Sequence, residues 1–585
     1  MSKRERNKGV ESDDRVSSQV PLLNPEHNFI LGSGYVWWFV GVIFVAVFFL
    51  ILKMFTLHPY ASDEFIYICQ GKFIADGLIP YKDFPMAHPP LQAIFAATLF
   101  KMFGYDFEGF RLLGTLWSLL AGVLLAILVK REYGRIASVF SMGLFLLAYE
   151  PLRASIHFTG VNMTIALLMG ALLLFRMNKL LLCALFCVLA VYTRLYALPA
   201  VLAITISCYL NNRNDAVKFV SYGVGLGLLL FIVIGIWTGF GNFMNDVFLF
   251  QAQKTAMGED KLSFMRDAVL FHNAIPFFLF ILGSVTLFIL FFKKLSYANS
   301  NAKGKGKAVA SDKKYFSLLW LSVSSVVLIL GILLNMNRVW MYYFVLAFPF
   351  AAITGGWMVS NWILNVKSIF NFKGGKILTP IISPLWLRIS LLLFIGFYLI
   401  SPRFEKRLDY YKTAMRDPLK RTATYEWRDG YLPGVVNTMI KTLFWKDVRV
   451  IGENYSSFTF YLWHCSRVVD VVFEVAEEVK KRAQAGDTIF GDSGTAPLVS
   501  LLTKLGISGN EVDTNIERYR SGNADPRELV KRIDVPTTRF LLLRDKFGIA
   551  VLPEIQNMVG RNYKEVKSFR SKTGFTLRLY ERLPA

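Results

Sequence analysis

Cysteine is scarce in this chain, with five in 585 residues, too few for the disulfide framework that holds small secreted domains together. No Cys/His cluster has zinc spacing, which excludes a structural zinc module. No nucleic-acid-binding motif occurs either, so the formal net charge of +23 needs no nucleic-acid partner. Internal repeats and matched pairs of Gly/Pro-broken apolar segments, which transporters often carry, are missing from residues 35–402. Cys183, Cys187 and Cys208 fall in apolar segments, where a thiol packs as a small hydrophobe. Cys69 and Cys465 fall on the side expected to face outward, and an oxidising compartment would let them pair.

What the chain has in abundance is apolar surface: 54% apolar residues and 51 Phe, with the charges collected between apolar blocks. The first block, Tyr35–Leu57, exceeds the roughly 20 residues that cross a hydrocarbon core of about 30 Å. Its one charge, Lys53, sits near the far end and can snorkel to the interface. The block is too long for a signal peptide and has no small-residue cleavage site, so it reads as a retained anchor. The signal recurs near 110–130, 136–150, 161–177, 179–193, 195–210, 217–239, 274–292, 316–335, 339–360 and 384–401. The fold class is therefore a polytopic α-helical membrane protein with about eleven spans, followed by a C-terminal α/β domain.

Basic residues in short loops stay cytoplasmic. The clusters Lys3, Arg4, Arg6, Lys8; Lys130, Arg131, Arg135; Arg176, Lys179; Arg213, Lys218; Lys293 through Lys314; and Lys367, Lys373, Lys376 all fall on one side of such a layout. That side is the cytoplasm, with the N-terminus in it and anionic membrane lipids as neighbours. The expected location is a cell membrane, or the endoplasmic reticulum membrane in a eukaryote.

The chain divides into a polar cytoplasmic tail (1–34), a membrane module (35–402) with an outward loop at 58–109, and a soluble extracytoplasmic domain (403–585). Lys293–Lys314, with its Gly-Lys-Gly-Lys core, reads as a flexible linker. In the C-terminal domain, helices are expected at Val468–Ala483, Pro497–Leu505 and Glu528–Ile533. Strands are expected at Thr488–Gly491, Arg539–Leu543 and Phe575–Tyr580. Gly491-Asp492-Ser493-Gly494 reads as a strand-to-helix turn rather than a phosphate cradle. Asn454-Tyr455-Ser456 is a glycosylation sequon, meaningful only in a host with that machinery.

The outward loop carries chemistry-bearing residues. Ser62 can cap a helix whose first turn is Asp63-Glu64-Phe65. Phe65, Ile66, Cys69, Phe73 and Ile74 recur on one face, which gives an amphipathic helix at the interface, ended by Gly77. A second helix is expected over Pro89–Phe103, and the turn-rich Ile79–Pro85 link brings His88 back toward Asp63. Two readings of the acids stand side by side. Carboxylates in a first turn complement the helix dipole for about 0.3–1 kcal/mol without any chemical purpose, and the same dipole keeps Asp63 ionised and makes it a modest base. His88, before two prolines, is either a turn residue or a participant.

The Asp63-Glu64 pair after the first span, the Gly-Leu-Ile-Pro-Tyr-Lys-Asp turn and His88-Pro89-Pro90-Leu91 resemble the first outer loop of the GT-C membrane glycosyltransferases. The His-Pro-Pro-Leu run is most similar to protein O-mannosyltransferases, and the general layout to the aminoarabinose transferases of lipid A. The resemblance implies an enzyme that moves a hexosyl or pentosyl group from a polyprenyl- or dolichyl-phosphate donor to a hydroxyl-bearing acceptor on a protein, lipid or glycan. It implies Asp63 as general base, with Glu64 beside it, and His88, Tyr81 and Lys82 in the same loop.

Tyr192-Thr193-Arg194-Leu195-Tyr196 falls where such relatives have a base beside the lipid phosphate, and Arg338 precedes a Tyr-rich span start. Arginine suits a phosphate because its donors form a fixed fork, and at membrane depth it is a functional candidate by default. The structural alternative is that each arginine only snorkels. One departure from the family pattern matters: some relatives have a second acid after the third span, where Gly160-Val161-Asn162 offers an amide and Glu150 is the nearest carboxylate. No metal ligand set is assigned, and a divalent cation stays undecided. The runner-up function is a lipid-linked glycan flippase or transporter that breaks no bond.

Overall fold

The computed structural model describes residues 33–54, 63–104, 107–155, 157–253, 261–266, 269, 273–300, 306–336, 339, 341–369, 384–400, 469–570 and 576–584. Arg338, Cys465, the 454–456 sequon, Ser62 and nearly all of the polar tail lie outside them.

Helix α1 (Ser33–Met54) opens the membrane module, and the segment after it carries α2 (Glu64–Ala75) and α3 (Leu91–Phe103). Then come α4 (Phe107–Leu146), α5 (Tyr149–Ala154), α6 (Val161–Arg176), α7 (Leu180–Thr193), α8 (Leu198–Asn211) and α9 (Arg213–Thr238). Three short helices follow, α10 (Phe240–Met244), α11 (Phe250–Gln253) and α12 (Lys261–Arg266). The module closes with α13 (Ala274–Ser300), α14 (Gly306–Asn335), α15 (Phe348–Ile369) and α16 (Pro384–Ile400).

Each apolar segment expected from the sequence coincides with a helix. Among the described residues five helical stretches are both long and apolar enough to cross a membrane: Leu112–Leu146, Arg213–Thr238, Ile275–Phe292, Ser317–Asn335 and Tyr342–Asn365. The others are apolar but shorter. The first of the five is folded in two. Gly134 breaks α4 with φ 87°, and the Ser138 hydroxyl donates to the Ala126 carbonyl at 2.6 Å. Twelve residues of straight helix would separate those groups by about 18 Å, so α4 is an antiparallel pair turning at Gly134. This is the boundary the sequence placed between its 110–130 and 136–150 segments.

The linker expected over Lys293–Lys314 is largely helical instead, since α13 runs on to Ser300 and α14 starts at Gly306. Lysine and alanine are good helix formers. Arg176, read as a loop charge, is also more than that. Its guanidinium makes a two-pronged contact with Glu132 of α4, from Nε at 2.9 Å and Nη2 at 2.5 Å, and reaches Ser317 of α14 through Nη1 at 2.5 Å. Both ionic side chains are mostly buried, so Arg176→Met strands a carboxylate between three helices. That is expected to cost about 3–5 kcal/mol, seen as a lowered melting temperature of the purified protein in detergent; an unchanged melting temperature would refute it.

The C-terminal unit is the α/β domain the sequence implied. Helix α17 (Val469–Arg482) precedes β1 (Thr488–Gly491), α18 (Ala496–Thr503), β2 (Gly506–Ile507), α19 (Ile516–Arg520), α20 (Pro526–Ile533), β3 (Thr538–Arg544), α21 (Pro553–Asn562), β4 (Tyr563–Arg570) and β5 (Thr576–Arg582). The sheet order is β2-β1-β3-β5-β4, parallel across β2-β1-β3 and antiparallel across β3-β5-β4. The central strands are buried on both faces and read as continuous apolar runs. Strand β5 alternates, with Leu577 and Leu579 turned into the core. The 491–494 sequence is a strand-to-helix turn, and Asp492 itself accepts the Gly494 N–H at 2.8 Å. A carboxylate thus takes a donor that a phosphate cradle would need.

This unit rests on the segment that holds Asp63. One hydrophobic cluster joins Phe65, Ile68 and Phe73 of α2 to Val475, Leu498 and Leu501, and the Cys69 thiol, pushed up to about 12 by burial, lies 3.9 Å from the Pro497 carbonyl. A buried ion pair adds to the contact. Arg518 of α19 donates to Asp246 at 3.4 Å, and Asp246 also accepts the Met86 N–H at 3.2 Å. Burial holds the Asp246 carboxyl above its ordinary range against the opposing pull of Arg518. Arg518→Met leaves that carboxylate without its counter-ion at a mostly buried interface, an expected loss of about 3–5 kcal/mol. Calorimetry of the detergent-solubilised chain checks it, and a wild-type thermogram would count against the pair as a docking element.

Candidate active site

Asp63 is the N-cap of α2 and is exposed; its side chain makes no capping hydrogen bond. The carboxylate is therefore not committed to holding the helix end, although the dipole still acts on it. Glu64, one residue on, points the other way. It is fully buried, accepts the Phe158 N–H at 3.3 Å and stands 3.5 Å from His157 Nδ1. The two acids are neighbours in sequence with opposite surroundings, because successive helical residues are rotated by about 100°.

The loop that Glu64 grips is the one the sequence flagged for its amide. Asn162 uses its side-chain N–H groups on the Ala154 and His157 carbonyls, at 2.9 and 3.1 Å, so it clamps the loop. Phe158 is held at both ends, its N–H by Glu64 and its carbonyl by Gln92 of α3 at 2.5 Å. The next carbonyl, Thr159, accepts from Arg194 Nη2. Arg194 Nη2 also donates to Gln92 Oε1 at 3.1 Å. Gly160 has φ 80°, and a Cβ there would stand 2.4 Å from Gln92 Oε1 and 2.9 Å from Arg194 Nε. Only glycine fits both that backbone and that space.

Arg194 follows the last residue of α7 with extended backbone and is 2% exposed. Its guanidinium lies 4.4 Å from the centroid of Tyr67, a cation–π contact. Arg194 Nε and the Tyr196 hydroxyl are buried with no hydrogen-bond partner among the described residues. Tyr196, Tyr343 and Tyr342 run on in ring contact, at 4.9 and 4.7 Å. The positive charge of Arg194 acts on Tyr67, Tyr196, Tyr342 and Tyr343. The negative charge of Asp63 acts on Tyr67 and Tyr342. Burial raises the Tyr67 phenol, with Arg194 opposing and Asp63 adding. The acid and the guanidinium therefore both act on Tyr67 and Tyr342.

His88 joins this group, its ring 5.8 Å from that of Tyr67. Its carbonyl accepts the Tyr81 hydroxyl at 2.7 Å, and Gln251 donates to the adjacent Ala87 carbonyl at 2.6 Å. Tyr81 thus shapes the turn from inside, whereas Lys82 is exposed on it. Glu150 is buried in α5, its backbone N–H on Asn273 Oδ1 at 3.2 Å. Arg338 lies outside the described residues, just before the turn that brings Tyr342 and Tyr343 in. Among the described residues no group of three or more His, Cys, Asp or Glu could hold a metal ion.

Sequence reasoning missed Gln92, His157, Thr159, Tyr67 and Tyr196. Gln92 directly follows His-Pro-Pro-Leu as a lone amide on the buried face of an apolar helix, and that was the available signal.

The fold is that of the GT-C membrane proteins. In structure the chain is similar to ArnT from Cupriavidus metallidurans. The apo form matches at a TM-score of 0.54 and 12% identity, covering 94% of this chain and 98% of that one. The form bound to undecaprenyl phosphate matches at 0.52 and 13%, covering 93% and 98%. The Archaeoglobus fulgidus oligosaccharyltransferase tethered with an acceptor peptide matches at 0.48 and 10%, covering 93% and 74%. No protein-family model matches the sequence, and no curated protein matches it.

Proposed function

We propose that this protein is a membrane glycosyltransferase that transfers a sugar from a polyprenyl- or dolichyl-phosphate donor to a hydroxyl-bearing acceptor outside the cytoplasm. The observation that carries this is the meeting of Asp63 and Arg194 at one short stretch of α2: the exposed carboxylate is the helix N-cap, and the buried guanidinium lies 4.4 Å from the ring of Tyr67 on the first turns of the same helix. A negative group accessible to water and a buried cation with an unspent donor are what a displacement at a sugar phosphate needs. The ArnT fold adds support, since one of its structures holds undecaprenyl phosphate.

In the proposed reaction the acceptor oxygen attacks the anomeric carbon and the bond from that carbon to the phosphate oxygen breaks. The bonding pair leaves with the lipid phosphate, and configuration inverts. Asp63 takes the acceptor proton. A modest base suffices if the proton leaves late, after the phosphate has largely departed. Arg194 stabilises the charge gathering on the phosphate oxygens through the N–H groups that Gln92 and the Thr159 carbonyl leave unused, with Arg338 and His88 as further phosphate-side groups. Glu64 supports from behind through the 157–160 loop. Tyr67 shields the guanidinium from water, which strengthens its pull on an anion. The C-terminal domain, seated on α2, covers the site and bears on acceptor choice. No step is routed through a divalent cation.

Transfer of label from a lipid-phosphate sugar to peptide, lipid or glycan acceptors by the purified protein tests this reading. Product formation is expected with one donor class. Movement of lipid-linked glycan across vesicles with no product from any donor would establish the flippase reading instead.

A further inference from the structure

Behind Arg194 lies a relay that the displacement itself does not use. Glu64 of α2 fixes the Phe158 N–H, Gln92 of α3 fixes the Phe158 carbonyl, and Gln92 and the Thr159 carbonyl together hold Arg194 Nη2. His157, beside Glu64, is tied into the same loop by Asn162. Gln92 is the centre of this relay because its amide is used at both ends, the N–H on the loop and the oxygen on the guanidinium. Every partner is buried, so rotating any one leaves a polar group unmet in a dry place. The guanidinium is thereby held by Nη2 on one side and by the Tyr67 face on another, with Nε buried against Gly160 without a partner among the described residues and Nη1 outside these bonds.

We propose that Gln92, backed by Glu64 and His157, is a positioning residue that sets the direction in which Arg194 presents its remaining N–H groups, and so sets affinity for the donor phosphate. The inference rests on the reading of Arg194 as the phosphate ligand. It gives Glu64 a role distinct from that of Asp63: the first acid of the pair faces the reaction, and the second ties the helix carrying it to the loop that aims Arg194. Gly160 belongs to the same device, since any side chain there would push Gln92 and Arg194 apart.

The test uses the full chain in detergent, with undecaprenyl phosphate as the binding probe, donor kinetics and a melting temperature for each variant. Gln92→Met is expected to weaken binding about tenfold, the worth of one hydrogen bond to a charged group, and the loss falls on the donor KM rather than on kcat. In an Arg194→Met background the same change is expected to do little more, because the two act through one interaction. Gln92→Glu keeps an acceptor for Arg194 and guards against a folding failure of the first variant. Its carboxylate competes with the phosphate for the guanidinium, so binding falls further than in Gln92→Met. Wild-type binding in a folded Gln92→Met or Gln92→Glu, or losses that add with Arg194→Met, would overturn the proposal. Wild-type binding in Arg194→Met would instead remove the phosphate assignment itself.

Discussion

Asp63→Asn is expected to lower turnover by about 10²–10⁴-fold, the range associated with a positioned general base, while undecaprenyl phosphate binds as well as before or better. The substitution is nearly isosteric at an exposed N-cap whose side chain makes no capping bond, and a melting temperature of the variant checks that the fold is kept. What disappears is the proton acceptor, and with it a negative charge that acts on Tyr67 and would repel a phosphate. The binding result separates a base from a phosphate ligand, whose removal weakens binding. Steady-state transfer measured beside lipid binding decides it: full turnover in a folded Asp63→Asn protein removes Asp63 from the chemistry. Glu64→Gln makes a useful contrast, because its carboxylate is already committed to Phe158 and His157 and its loss is expected to fall on donor KM.

Removing Arg194 is expected to act on affinity. Arg194→Met takes away a cation stacked on Tyr67 and its charge-assisted bonds, worth about 1.5–3 kcal/mol, or about 10- to 150-fold in undecaprenyl phosphate binding. It also strands the Thr159 carbonyl and Gln92 Oε1, so the melting temperature falls. Arg194→Lys keeps the charge and loses the planar fork. A lysine can serve Thr159 or the phosphate but has no rigid geometry to serve both, so partial recovery is expected. Microcalorimetry in mixed micelles measures all three proteins. Equal affinities across the set would leave Arg194 as a purely structural residue, and the chemistry proposed above would lose its leaving-group support.

The legible part of the site was its isolated charges. Asp63 stood out because it is the first acid past an apolar span, and Arg194 because it interrupts two spans with a cation. A charge beside the hydrocarbon is costly wherever the chain goes, so its position carries information before any folding is known. Helix locations were legible for the same reason, down to the turn at Gly134. The linker was misjudged because lysine-rich composition was read as solvation when local helix propensity prevailed.

The relay was not legible. Glu64 meets Phe158 across 94 residues, and Gln92 meets Arg194 across 102. Nothing in the local pattern of any of the four residues specifies the other three. By itself, then, the sequence determined that this is a membrane protein of about eleven apolar segments, where its charged residues lie along them, and that an α/β domain follows, since burial and periodicity are properties of contiguous residues. Only the tertiary structure decided that neighbouring Asp63 and Glu64 face opposite surroundings, that Asn162 serves as a clamp and that Gln92 meets Arg194. A buried polar group takes whichever partner packing brings within hydrogen-bond reach, and that choice is made by helices meeting from distant parts of the chain.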